Sequence, residues 1–292
     1  NGIETEPDEP TKYVMNVLYK TVFPHFPYGF NKLGTVATVS GFTADELKQT
    51  YQRFATPSNT VFVVVGDMDP QKVMHRISQL FGQIPKKQLE IGQIPVQETL
   101  DKARETVMRI PRAKAHLAMG FRGTTLTEED RYPLDVLSNL LAGQGGRLFR
   151  ELRDKESLAY VVTSFFRPAL DPGVFGFYVA CDAPKVDKAY QGLIKEIELV
   201  RKAKVSDAEL KKSVNNLVGT HLISLQSSSD RAENIGLNTL YGLGYDYDTL
   251  YIKKLREVTA DDVLRVARKY LDLKHVALAK ILPEEAKSRS SK

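Results

Sequence analysis

Thr259-Ala260-Asp261-Asp262-Val263, which leads into the apolar run Val276-Ala277-Leu278-Ala279-Lys280, repeats an earlier pair of segments, Thr43-Ala44-Asp45-Glu46-Leu47 and Val61-Phe62-Val63-Val64-Val65. Thr43 is a good N-cap, and Glu46, three residues on, completes a capping box in which hydroxyl and carboxylate satisfy the first free N–H groups of a helix. Thr259 opens the second copy in the same way. Upstream, Leu18-Tyr19 precedes one copy much as Leu240-Tyr241 precedes the other. The shared order of helix, loop, capped helix and strand predicts an internal duplication.

The two copies stand in unequal surroundings. Between them, residues 105–110 and 115–122 read as strands, and Thr127 as the cap of a helix over 128–141. The turn Pro168-Ala169-Leu170-Asp171-Pro172-Gly173 joins a strand over 158–167 to a return strand over 174–181. Asp182 is placed to cap a long helix whose Val186, Ala189, Tyr190, Leu193, Ile194, Ile197 and Val200 share one face. Further helices are predicted over 206–225, 228–241, 248–258 and 259–271, and a last strand over 275–282. The first copy has only a helix over 11–23, an irregular loop, the capped helix to Ala55, one strand over 60–65 and a helix from Asp69-Pro70 to Phe81. A run as continuously apolar as 60–65 predicts a strand buried on both faces, and a lone strand is no sheet.

Residues 1–82 are therefore expected to be the C-terminal half of a domain whose first ~100 residues lie outside the sequence, judged from ordinary domain size. Residues 83–103, rich in Pro, Gly, Gln and Lys, read as a linker, 104–284 as a complete second domain, and 285–292 as a charged tail. The expected fold class is α+β, two homologous domains of which the first is represented only by its C-terminal half.

Composition removes several function classes. The chain has 292 residues, a formal net charge of +5 and 26% charged residues, with basic and acidic side chains interspersed. Nucleic acid is not an expected partner, because no aromatic-basic interleaving or binding motif accompanies the charge. No apolar run is long enough to span a membrane. The acidic start, Asn1-Gly2-Ile3-Glu4-Thr5-Glu6, lacks the apolar core of a signal peptide. It also lacks an initiator Met, so a processed or truncated chain is expected, and compartment stays open. One cysteine, Cys181, allows neither an internal disulfide nor a thiolate cluster; on a core strand it reads as a small buried hydrophobe.

The search for chemistry in the residues themselves returns one stretch, Gly143-Gln144-Gly145-Gly146-Arg147-Leu148-Phe149-Arg150-Glu151-Leu152-Arg153, running on through Leu158-Ala159-Tyr160. It reads as a glycine-rich loop, a short helix and the start of a strand. Leu148, Phe149 and Leu152 form an apolar stripe, leaving Arg147, Arg150 and Arg153 along another side. Arg153 and Tyr160 flank the helix-to-strand corner. Two readings stay open: a specific Arg/Tyr pair, or an Arg that complements a helix dipole beside a packing Tyr. The loop is no phosphate-binding motif, since position 148 is Leu. His25, His75, His116, His221 and His275 are too far apart in sequence to build a zinc-binding helix face, and no G-x-S-x-G elbow occurs.

The pattern Gly145-Gly146-Arg147-Leu148-Phe149, Leu152-Arg153, Leu158-Ala159-Tyr160 and Val162 resembles the second-domain motif of the pitrilysin/insulinase-like zinc peptidases (inverzincins), which include the mitochondrial processing peptidase. Tyr19, Tyr28-Gly29, Gly34-Thr35 and Thr56-Pro57-Ser58-Asn59 before Val63-Val64-Val65-Gly66-Asp67-Met68-Asp69-Pro70 resemble the latter half of the family's first domain. The resemblance implies homologous α+β domains of the insulinase-family, processing-peptidase-like type, enclosing a chamber. It also implies one zinc ion in the full-length parent, held by a first-domain His-x-x-Glu-His motif and a distant Glu. Arg153 would then bind a substrate backbone carbonyl and Tyr160 would donate to the oxyanion of the tetrahedral intermediate, with Gly145 and Gly146 in the substrate-binding loop.

One departure decides what this chain can do alone. His-x-x-Glu-His is absent, and the distant Glu would align at or just before Asn1, with Glu4 and Glu6 too weakly placed to replace it. No metal ligand is assigned, and the chain by itself is expected neither to hold catalytic zinc nor to cleave peptides. The leading expectation is a fragment of a zinc metalloendopeptidase acting on peptides or unfolded polypeptides, as a homodimer or with a related subunit. The alternatives are a non-catalytic homologue that binds or gates substrate beside a zinc-bearing subunit, and a scaffold like the respiratory-complex core subunits.

Overall fold

The computed structural model describes residues 2–87, 89, 95, 99–143 and 145–284. Much of the predicted 83–103 linker and the 285–292 tail lie outside the described residues. In chain order the helices are α1 (Pro10–Val22), α2 (Val36–Ser40), α3 (Ala44–Phe54), α4 (Pro70–Phe81), α5 (Arg131–Leu141), α6 (Val186–Lys202), α7 (Asp207–Ser224), α8 (Ser228–Leu240), α9 (Tyr247–Glu257) and α10 (Ala260–Tyr270). The strands are β1 (Arg104–Ile110), β2 (Lys114–Arg122), β3 (Val161–Arg167), β4 (Val174–Asp182) and β5 (Ala277–Pro283). They fall into two compact units, one formed by Asn1–Thr35, Pro95–Leu217 and Lys254–Lys292, the other by Val36–Ile94 and Val218–Lys253.

The first unit is built on a five-stranded sheet in the order β1-β5-β2-β4-β3, with β5 parallel to β1 and antiparallel to β2. Its α+β class agrees with the sequence reading. Side-chain alternation divides the core between the two faces. Ala118, Tyr178, Ala277, Ala279 and Ile281 pack with Val14, Leu18 and Val22 of α1. A Cβ added to Gly120 would come within 3.2 Å of Leu18 and Val22, so α1 lies close over β2. The opposite set, Leu117, Met119, Phe121, Phe177 and Val179, is fully buried on the face toward α6, whose Ala189, Leu193, Ile197 and Val200 are also fully buried. α5 and α10 pack beside them, and β4, between β2 and β3, is buried along nearly its whole length.

Two predicted caps take other forms. α5 begins at Arg131 with no side-chain cap; the Thr127 hydroxyl pairs with that of Thr125 instead. Asp182 makes no cap bond to the turn Ala183–Lys185 that leads into α6. Asp130, just before α5, accepts from Arg265 (2.5 Å), Lys269 (2.7 Å) and Tyr270 (2.8 Å) of α10. Burial pushes its pKa up, but these bonds prevail and hold the carboxyl at about 2.

In the second unit α2 is a short helix the sequence reading did not give, and the strand predicted over 60–65 does not form among the described residues. Thr60–Val65 is extended, yet among the described residues no strand pairs with it, and Val61, Phe62 and Val64 are 36%, 49% and 48% exposed. The β-branched run supplies propensity but has no neighbouring ladder in which to bury itself. The same holds across the unit: of its described residues only Thr56, Val218 and Tyr247 are buried. Local code nevertheless acts as predicted. Thr43 and Glu46 close a capping box on α3, and Asp69 accepts from the N–H groups of Gln71 and Lys72 at the start of α4. α8 lies near the extended run, Gly236 facing a Val63 methyl at 3.6 Å for an added Cβ.

Candidate functional site

The glycine loop after α5 is shaped by backbone demands. Gly143 has φ +72°, and a Cβ on Gly146 would sit 2.0 Å from the Ala142 carbonyl oxygen, so neither position accepts a side chain without rearrangement. A Cβ on Gly145 would meet Lys212 Nζ at 2.3 Å, where the ammonium donates to the Gly145 carbonyl at 3.2 Å. Gln144 lies outside the described residues. A cavity of about 420 Å3 opens beside the loop, lined by Asn139, Arg150, Lys212 and Asn216 among others.

The helix that follows is a π-helix, Phe149–Lys155, in which the N–H of Glu156 reaches back five residues to the Glu151 carbonyl at 3.2 Å. Its wider turn alters the spacing on which the expected stripe of three arginines rested. Arg147 forks onto Glu209 at 2.8 and 2.9 Å, and Arg150 approaches the same carboxylate at 3.8 Å. Arg147's bonds, joined by those from Ser206, hold the Glu209 carboxyl at about 2. Arg153 instead lies exposed, its guanidinium 4.7 Å from the centre of the Phe149 ring. Arg147 and Arg150 are thus tied to Glu209 at the start of α7, while Arg153 stacks on its own helix.

Ser157 turns the corner with φ +50°, a left-handed conformation that a non-glycine residue adopts uncommonly. Its N–H donates to the Arg153 carbonyl, Leu158 N–H to the Leu152 carbonyl, and Lys185 Nζ to the Ser157 carbonyl. Leu158 and Ala159 are buried, and the ladder starts only at Val161. Strand alternation therefore does not extend back to Tyr160. Strict alternation would set Tyr160 on one face with Leu158, Val162 and Ser164; those three are buried, whereas Tyr160 is 47% exposed.

Tyr160 is anchored at both ends. Its N–H donates to the Ala180 carbonyl at 2.8 Å, and its phenol donates to Asp182 Oδ1 at 2.6 Å. Lys114, which faces Asp182 across the β2–β4 ladder, places its ammonium 3.4 Å from the centre of the Tyr160 ring and 3.5 Å from Asp182. Lys185 reaches the other carboxylate oxygen at 3.6 Å. The Tyr160 bond first, then the charges of Lys114 and Lys185, lower the Asp182 pKa; contact with the phenol raises that of Lys114. Sequence reasoning missed Asp182 and Lys114 as members of this corner. Asp182 stood where a helix cap belongs, and its pairing with Lys114 exists only through the β2–β4 register.

Cys181 is fully buried, and burial pushes its thiol up to about 11, in keeping with an inert core position. His116 hydrogen-bonds to Tyr178 at 2.8 Å, which also meets Thr11 at 2.9 Å, and burial lowers its pKa. Glu6 is buried and accepts from Asn16 and Asn31, both at 2.5 Å. Among the described residues no three His, Cys, Asp or Glu side chains converge on one point, and this donor set does not fit a zinc ion.

A five-stranded mixed sheet with helices packed against both faces makes the first unit an α+β domain. Residues 41–217 match the model of the peptidase M16 inactive domain, and the chain belongs to that family, the pitrilysin-like peptidases, without the zinc motif. It is 30% identical, over 90% of its length and 59% of the relative's, to an uncharacterized zinc protease of Streptomyces coelicolor. A probable mitochondrial-processing peptidase subunit beta of Arabidopsis thaliana is 26% identical over 96% of this chain and 54% of the relative. A solved protease from Helicobacter pylori superposes with a TM-score of 0.87 at 23% identity, covering 97% of this chain and 69% of that one. The peptidase M16 inactive domain from Pseudomonas fluorescens superposes with a TM-score of 0.85 at 21% identity, covering 98% and 68%. These two likenesses show the fold. The chain spans 59%, 66% and 58% of the lengths of three zinc-protease relatives. No helix among the described residues is long and apolar enough to cross a membrane.

Proposed function

We propose that this chain is the substrate-binding part of a zinc-dependent metalloendopeptidase that acts on peptides or unfolded polypeptides. In this reading Arg153 holds a backbone carbonyl and Tyr160 turns its phenol toward the oxyanion that forms when the scissile carbonyl is attacked. Zinc chemistry, when present, comes from outside this chain. The observation that carries the reading is the exposure of Tyr160: just ahead of β3, with Leu158 and Val162 two residues to either side both buried, it is itself 47% exposed, seven residues after an exposed arginine. A guanidinium and a phenol suit these roles because both are hydrogen-bond donors to a carbonyl or oxyanion oxygen. Gly145 and Gly146 lie beside the loop cavity, which supports their place in substrate binding.

We also read residues 1–82 as the C-terminal half of a first domain that further polypeptide would complete, joined through 83–103 to a second domain over 104–284. The exposed Thr60–Val65 run supports this. In the protein carrying a His-x-x-Glu-His segment, Tyr160→Phe is expected to lower kcat by roughly 10² to 10³-fold, as loss of one oxyanion donor does. An unchanged kcat would return Tyr160 to packing.

A second reading has its own support, since the matching family model is that of an inactive domain and one relative bears the name of a processing-peptidase subunit. Here the chain binds or gates polypeptide beside a related zinc-bearing subunit. It predicts the same polypeptide contacts at Arg153, with no effect of Tyr160→Phe on kcat.

A further inference from the structure

The Tyr160 phenol has one proton, and in this structure that proton is committed to Asp182. While the 2.6 Å bond stands, the hydroxyl can only accept, and an electron-rich carbonyl brought to it meets a lone pair. The contact has the marks of a specific holding point. Asp182 ends β4, yet its side chain makes no cap bond to the turn that follows; its partners are the phenol and the ammonium groups of Lys114 and Lys185. Lys114 is fixed opposite Asp182 by the β2–β4 register, so it presses on the ring face and neutralises the carboxylate from a rigid strand. The three residues come from the ends of three adjacent strands, β2, β4 and the chain entering β3, so the backbone presets the arrangement.

We propose that Asp182 and Lys114 form a latch holding Tyr160 in a non-donating orientation, and that a bound polypeptide carbonyl competes with Asp182 for the phenol proton. The proposal rests on the reading of Tyr160 as a substrate-facing hydroxyl. Asp182 is then a positioning residue that sets how readily the corner accepts a polypeptide. Because Tyr160 and Asp182 are both part-exposed, the bond is modest, and its removal should strengthen binding by about three- to tenfold, the range of one net hydrogen bond. Lys185, which also holds the Ser157 carbonyl, keeps the corner in shape when the carboxylate is removed.

The test uses the full chain with fluorescein-labelled, reduced and carboxymethylated α-lactalbumin as an unfolded polypeptide, followed by anisotropy. Asp182→Ala should bind about three- to tenfold more tightly than wild type. Tyr160→Phe should bind more weakly, and Asp182→Ala should have no effect in the Tyr160→Phe background. Asp182→Asn keeps the shape and a weaker acceptor, and should fall between wild type and Asp182→Ala; it carries the test should the alanine variant fail to fold. In chain labelled with 13Cζ-tyrosine, the Tyr160 resonance should move in Asp182→Ala and in the same direction when wild type binds the polypeptide. Wild-type binding that Asp182→Ala weakens or leaves unchanged overturns the latch alone. Absence of binding by wild type and all variants overturns the substrate-facing reading, and the latch with it.

Discussion

β5 and the Thr60–Val65 run descend from the same local code and end in opposite states. Each follows a helix opened by a capping box, Thr259 with Asp262 in one and Thr43 with Glu46 in the other, and both boxes form. Each is rich in strand-forming or apolar residues. β5 lies between β1 and β2, with Ala277, Ala279 and Ile281 fully buried beneath α1. Thr60–Val65 has no ladder among the described residues and is exposed along most of its length. Caps are local and survive in either setting, whereas a strand is a pairing state and needs its neighbours.

The largest expected break in this symmetry is energetic. Ile281→Ala should destabilise the chain by about 2–5 kcal/mol in urea unfolding, because it empties a filled core site. Val64→Ala in the extended run should change it by less than about 0.5 kcal/mol, as at an exposed position. Equal losses at the two sites would mean that Thr60–Val65 is buried in solution.

Acid distinguishes the units next. The Asp130 carboxyl, held at about 2 against an ordinary 3.8, contributes stability that is present above pH ~4 and is lost as pH falls toward ~2. Its basic partners are half-exposed, which screens the bonds, so the contribution is about 1–2 kcal/mol rather than the full linkage value. Asp130→Asn should remove that part of the acid dependence and lower stability at pH 7. A pH-stability curve unchanged by the substitution would contradict the role given to Asp130 between α5 and α10.

The smallest effect sharpens the comparison most finely. Thr259→Ala should lower global stability by about 1 kcal/mol, the usual cost of a lost N-cap, because α10 is packed into the first unit. Thr43→Ala should leave the global midpoint in place and reduce only the helical signal of α3. Matching shifts in the two midpoints would show that both units unfold as one.

These contrasts explain what the sequence could reveal. The face of α6 was legible because Val186, Ala189, Leu193, Ile197 and Val200 recur at helical spacing, and all are buried. The hairpin of β3 and β4 was legible from its Pro168–Gly173 turn. The site was legible only in outline. Arg153 and Tyr160 were found from motif spacing, but a π-helix changes the period on which the arginine stripe was drawn, and a left-handed Ser157 carries no mark in its side chain. Asp182 was visible as a residue and invisible as a partner, because strand register alone brings Lys114, Tyr160 and Asp182 together.

Under the proposed reading an unfolded polypeptide would be held at the Arg153–Tyr160 corner by polar recognition, and the exposed Thr60–Val65 run is the competing apolar surface. Photo-crosslinking with an unfolded peptide bearing a benzophenone, mapped by mass spectrometry, separates them. The account predicts that crosslinks concentrate on residues 153–160 and fall away in Arg153→Ala. Crosslinks confined to residues 60–65 and indifferent to Arg153→Ala would contradict it.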